Sequence, residues 1–280
     1  MDNALINNTT VKFQTGKLLT KEMLQALNTK IEYFFIKYEN YSNGIISGLL
    51  LKEENNSIIL GKGILKLNGK IYFLEHDINI QNIINEYEDI SDGEICTLIF
   101  RKGITKQIAE SVSNDTVDIK VLCNEKEKVE DTDIVIGIFE YTHGKNIKLF
   151  SNCSTPKEKL LNITGNKAGL NIVDFKFALD GEYTFHPIIF SLMGEILANK
   201  TKKSKFDYNL LSLIYANKVV SKKIVSLYIE MCGINCKECN NKELINSFIE
   251  AADTNIVESV NEEEKIEVSQ KQKKKNSRFI

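Results

Sequence analysis

Asn68-Gly69 stands between the apolar runs "GILKL" and "KIYFL". An Asn-Gly pair in that setting makes a tight hairpin turn, because both central residues must take positive φ. Upstream, Gly61 and Gly63 flank Lys62 directly after "SIIL". A phosphate-cradling loop would need Gly-x4-Gly-Lys-Ser/Thr passing from a strand into a helix. Here another strand follows, and the position three after Gly63 is Lys66, so the dinucleotide pattern fails too. The glycines therefore read as a bend or bulge and a hairpin turn in a small sheet.

The β texture extends on both sides of that hairpin. "GIISGLLLKE" reads as one strand, followed by the polar turn Glu54-Asn55-Asn56 and the short strands "SIILG" and "GILKL". Further strands are expected at residues 95–101, 118–123, 133–141 and 146–150. Before the sheet, Thr20 is placed to cap a helix running to about Tyr38. Met23, Leu24, Leu27, Ile31, Phe34, Phe35 and Tyr38 recur along it at helical spacing. That stripe is either core or an oligomer seam; Leu24, Leu27, Ile31, Phe34 and Phe35 are its candidate partner-binding residues.

After Ser154-Thr155-Pro156 the pattern turns helical. "TPKEKLLNI", a segment from about His186 to Asn199 opened by Pro187, "DYNLLSLIYANK", "SKKIVSLYIEM" and "NKELINSFIEAAD" read as short helices in a small bundle. The expected class is α+β: an N-terminal helix, a mainly antiparallel β-sandwich or partly open barrel, then a helical bundle. The divisions are 1–42 (N-terminal arm and interaction helix), 43–155 (β domain), 156–255 (helical domain) and 256–280 (charged tail). In the tail an acidic block precedes the basic residues Lys271, Lys273, Lys274, Lys275 and Arg278, which suits a solubilising or partner-docking role.

Charge narrows the partners. Lys and Arg total 36 against 38 Asp and Glu, a formal net of -2. Such a balance supplies no global attraction to nucleic acid or to an anionic membrane, so neither is expected as a partner. The first residues lack a basic start followed by a long apolar run, which reads as no export signal. Six cysteines without that signal are expected as reduced thiols, in a protein made in a cytoplasm.

The sharpest chemical candidate is "MCGINCKEC", which gathers Cys232, Cys236 and Cys239. It resembles the three-cysteine iron–sulfur signature of radical SAM enzymes, although Glu238 stands where that family usually has an aromatic. Zinc is the milder reading of the same thiols, with Glu238, Cys153 or a neighbouring subunit as fourth ligand. A helix-terminal loop at Gly233 with buried thiols needs no metal at all. His76, His143 and His186 are scattered, and no nucleophile sits at a partner spacing, so no catalytic residue is assigned. The acidic run from Glu86 to Glu94 lacks EF-hand spacing and reads as a solvated turn.

"YSNGIISGLLLKEENNSIILGKGILKLNGKIYFLE", residues 41–75, resembles N-proximal segments of phage tail and baseplate proteins. The preceding "FQTGKLLTKEMLQAL" fits the helix that leads into that sheet, so the resemblance spans about residues 11–75. It implies a structural baseplate or tail-fibre-attachment subunit of a contractile phage tail, or of a phage-tail-like bacteriocin from a low-GC Gram-positive bacterium. It also implies symmetric homo- and hetero-oligomeric contacts with other tail subunits, no active site and no cofactor. The competing reading is an intracellular metal-binding or regulatory protein that uses Cys232, Cys236 and Cys239 for zinc or an iron–sulfur cluster. An enzyme with an unrecognised pocket is a third.

Overall fold

The computed structural model describes residues 20–87, 90–109, 112–123, 128–150, 153–165, 169–236 and 239–254. The arm at 1–19, the tail from 255 onward and Glu238 lie outside the described residues. Thr20 accepts a hydrogen bond from the Met23 amide and opens α1 (Lys21–Tyr38), as the sequence spacing predicts.

Four strands follow as one bent hairpin: β1 (Gly44–Gly48), β2 (Leu51–Glu54), β3 (Ser57–Leu60) and β4 (Gly63–Leu67). At its tip Asn55 and Asn56 take φ of 48° and 63°, and Glu54 pairs with Ser57. Below the bend Gly48 pairs with Gly63 and Gly44 with Lys66. The stretch read from the sequence as a single strand is therefore two. Leu49 takes φ 52°, which turns the chain out of the extended region between them.

The two arms meet very closely at the bend. A Cβ added at Gly63 would lie 2.4 Å from the Leu49 nitrogen and 2.4 Å from the Ser47 oxygen, so no other residue fits. The crossing is stitched by the Leu49 amide donating to the Lys62 carbonyl (3.1 Å) and the Gly61 amide donating to the Leu50 carbonyl (2.9 Å). The Asp77 carboxylate accepts from the Lys62 amide at 2.8 Å. Burial of the Leu49 side chain, 0% exposed, offsets its backbone strain.

The bend hands the hairpin from one sheet to another. β2 and β3 join β6 (Ile78–Asn79) in a three-stranded sheet. β1 and β4 lie in a five-stranded sheet with β5 (Lys70–Leu74), β10 (Phe177–Leu179) and β11 (Glu182–Thr184), in the order β11-β10-β1-β4-β5. The β4–β5 turn is Asn68-Gly69, at φ 51° and 75°, as expected. α2 (Ile80–Asn85) follows and buries Ile80 and Ile84.

The third sheet has the order β8-β7-β9, from β7 (Ile95–Ala109), β8 (Val112–Cys123) and β9 (Ile134–Glu140). β7 and β8 outrun their apolar cores because polar residues continue the ladder, as at Lys106 and Asn114. Residues 146–150 do not form the expected strand. Leu149 is buried there, and the Lys148 carbonyl accepts from the Leu170 amide, but single bonds of this kind do not make a ladder.

α3 (Pro156–Asn162) starts with a Thr155–Glu158 capping box. α4 (Pro187–Asn199), α5 (Lys205–Asn217), α6 (Lys222–Met231) and α7 (Asn241–Asp253) complete the helical half. Between α3 and α4 the chain returns to the sheet: β10 runs parallel to β1, with Ile45 opposite Phe177. That hairpin crosses the division placed at 155/156, and a continuous core joins Ile45 and Phe175 to Phe190, Ile229 and Phe248. The result is an α+β fold of mainly antiparallel sheets, open rather than closed into a barrel. No helix among the described residues is long and apolar enough to cross a membrane.

Candidate interaction surface and cysteine segment

α1 carries apolar residues on more than one face. Met23, Leu27, Phe34 and Tyr38 are half-buried. Phe34 stacks on Phe73 of β5 (centroids 6.1 Å apart) and meets Tyr38 edge-on at 4.9 Å; Tyr38 in turn meets Tyr41 at 5.0 Å. The outer side holds Leu24, Ile31 and Phe35, 46%, 52% and 46% exposed, and Tyr33 and Ile36 are exposed as well. The structure thus divides the candidate seam: Leu27 and Phe34 are half-buried, while Leu24, Ile31 and Phe35 face solvent.

The helix is held at its C-terminal end. Lys66 of β4 is 8% exposed, and its ammonium donates to the carbonyls of Tyr38 (3.2 Å), Glu39 (2.7 Å) and Tyr41 (2.8 Å). A positive charge there satisfies carbonyls the helix leaves open and complements its dipole. The Gly181 amide donates to Asn40 and the Ser42 amide to Leu179, tying the same corner to β10 and β11. The outer apolar face is therefore presented by an anchored helix. Sequence reading found the stripe but not the clamp, since nothing local marks Lys66 as buried.

Four of the six cysteines pair as disulfides. Cys236 and Cys239 form a disulfide, with Cα atoms 5.5 Å apart, while Cys232 at the C-cap of α6 keeps its thiol. The trio Cys232, Cys236 and Cys239 is thus not gathered as three thiolates. Among the described residues no group of three or more His, Cys, Asp or Glu is placed to hold a metal ion. Cys96 and Cys123 form a second disulfide across β7 and β8, with Cα atoms 4.3 Å apart, against the expectation of reduced thiols throughout. They are 27 residues apart in sequence, and only strand pairing sets them opposite one another.

Cys232 borders a buried polar network. Asp207, fully buried, accepts from the Tyr228 hydroxyl (2.7 Å), the Ser204 amide (2.6 Å) and the Ser204 hydroxyl (2.9 Å). Its charged partner is Lys200, with Nζ 3.1 Å away. Burial raises the Asp207 pKa, but these donors outweigh it and leave the carboxyl below its ordinary value. Burial pushes the Cys232 thiol up, with the Tyr228 hydroxyl pulling partly back, so it is no activated nucleophile. Lys200 also donates to the Thr254 carbonyl (2.9 Å), so the network joins the ends of α4 to α7. The Ser204–Asp207 capping box was a legible signal for it in the sequence.

The histidines sit on separate elements. His76 and His143 are exposed. His186 is fully buried at the N-cap of α4, its Nδ1 accepting from the Ile188 amide at 3.2 Å. Its ring stacks on Phe175 at 5.1 Å, and burial depresses its pKa to about 3. It is a neutral structural residue. In the acidic run, Glu94 accepts from the Ser91 amide at 2.8 Å, a local turn contact; Glu88 and Asp89 lie outside the described residues.

No protein-family model matches the chain. No curated protein matches its sequence. The structure is similar to the crystal structure of TssK, with a TM-score of 0.35 and 11% sequence identity over 87% of this chain and 67% of that one. It is also similar to a chain of the type VI secretion system TssK-TssF-TssG baseplate subcomplex revealed by cryo-electron microscopy, with a TM-score of 0.33 and 5% identity over 88% of this chain and 99% of that one.

Proposed function

We propose that this chain is a structural subunit of the baseplate of a contractile phage tail or phage-tail-like bacteriocin, acting by assembly and force transmission rather than by turnover. Made in the bacterial cytoplasm, it takes its place in the particle beside other tail subunits and symmetry-related copies. The observation that carries the reading is the outer face of α1. Leu24, Ile31 and Phe35 face solvent on a helix that Lys66 clamps to the sheet. Apolar residues so displayed gain by burial against a neighbour, and the clamp limits the ordering cost of docking.

The segment that resembles tail and baseplate proteins covers α1 and the bent hairpin through β5. The reading stands on the resemblance and on α1.

Co-expression with the adjacent genes, particle purification and electron microscopy test it. The expected result is a particle that contains this chain and loses it when Leu24 and Ile31 are both changed to Glu. A chain that stays monomeric and never enters a particle overturns the reading.

A further inference from the structure

β5 and β8 are the outer strands of their sheets. A slot of about 710 Å³ runs between them, lined by residues 71–75 on one side and 115–119 on the other. Successive side chains of a strand point to opposite faces. Both sets line the slot on each strand, and Leu65 and Phe100 of the next strands inward line it too, so it spans the two strand edges and the faces just behind them. Such edges offer unpaired backbone amides and carbonyls. Further along β8 the Val121 amide is already taken by the Tyr87 hydroxyl (3.2 Å), which marks where the open edge stops.

The slot has a definite chemistry. Glu75, Glu86, Asp115 and Asp118 line it, and among the described residues no Lys or Arg does. Lys70 at its border pairs with Asp115, and Lys102 acts on the same carboxylate, which still leaves an excess of carboxylates. Leu65 and Phe100 contribute apolar lining. The Tyr72 hydroxyl is buried and has no hydrogen-bond partner among the described residues. The occupant that fits is an extended, basic segment with an apolar end.

We propose that this occupant is the chain's own segment 271–280, "KQKKKNSRFI". Lys271, Lys273, Lys274, Lys275 and Arg278 match the carboxylates, Phe279 and Ile280 match the apolar lining, and the backbone adds to an open strand edge. Residues 255–270 link it to Thr254, and a stretch of that length reaches up to roughly 55 Å. The proposal is independent of the baseplate reading.

Backbone amide exchange on full-length protein tests it. Amides of 71–75 and 115–119 exchange slowly in the unaltered chain and at least about tenfold faster in the full-length K273E/K274E/K275E variant, while those of α4 hold their rates. Changing Glu75 and Asp118 to Lys gives the same acceleration, and combining both sets of changes restores slow exchange. Unchanged exchange at the slot in the triple variant overturns the proposal. So does acceleration throughout the chain with no recovery in the combined variant.

Discussion

The ammonium of Lys66 sits 2.7 Å from the carbonyl oxygen of Glu39, just past the last turn of α1. Two further carbonyls, from Tyr38 and Tyr41, close around the same nitrogen. One side chain of β4 thereby sets where α1 leaves the sheet. Lys66→Met keeps the stem but removes the donor, and is expected to lower stability by about 2 kcal/mol. Urea denaturation measures that loss, and limited proteolysis should cut α1 first. Wild-type stability with an equally resistant α1 would show that the clamp does not hold the helix.

Leu24 and Ile31 lie on the outer face of α1, about half exposed. Leu24→Glu with Ile31→Glu is expected to shift folding stability by no more than about 0.5 kcal/mol per site. Assembly should be lost. Thermal melting and particle incorporation, measured on the same preparation, separate these effects; a large drop in melting temperature would instead make the face part of the fold.

Gly63 and Gly69 should fail in different ways. At Gly69 an added Cβ meets nothing within 4 Å, but φ is +75°. Gly69→Val should therefore cost about 1–2 kcal/mol from backbone strain alone. At Gly63 the added Cβ meets backbone at 2.4 Å, so even Gly63→Ala should cost more than Gly69→Val, about 3 kcal/mol or beyond. Equal midpoints in urea for the two variants would contradict the crossing geometry.

His186 predicts a pH dependence with a definite sign. Its pKa falls from 6.5 to about 3 on folding, because burial disfavours the charged ring. The unfolded chain takes up a proton in that window that the native chain cannot. The contribution is complete above the ordinary histidine range and is lost as pH falls from there toward about 3, at up to about 1.4 kcal/mol per pH unit. His186→Asn keeps an acceptor for the Ile188 amide and should flatten the slope by one proton. Denaturation midpoints across this range provide the check, and an unchanged slope would count against it.

Cys153 and Cys232 keep their thiols, while the other four cysteines pair. Alkylation of unfolded, unreduced protein should label Cys153 and Cys232, and all six cysteines after reduction. Metal analysis on protein purified without chelator should find far less than one zinc or iron per chain. Stoichiometric metal lost on changing Cys232, Cys236 and Cys239 to Ser would restore the competing reading.

Local signals were legible where the cause is local. Thr20 and Thr155 announce helix starts because their side chains satisfy amides within the next turn. Asn68-Gly69 announces its turn because the needed φ values belong to those residues. The split of "GIISGLLLKE" at Leu49 was not legible. Leu49 is no turn former, and its positive φ is imposed by the other arm of the hairpin and by burial. β10 and β11 were missed because short strands bounded by helices carry little periodicity. At the candidate surface the stripe was readable, but its division into packed and exposed residues was not.

The order of residues alone determined the helix starts, the hairpin turns, the α+β class and the presence of an amphipathic α1, since each follows from spacing and backbone preference over a few residues. Tertiary structure decided the rest: that Lys66 is a clamp, that Cys96 faces Cys123, that β10 joins β1, and that Leu24 and Ile31 rather than Leu27 meet solvent. Those outcomes depend on which distant segments the hydrophobic core draws together, and no local pattern records that.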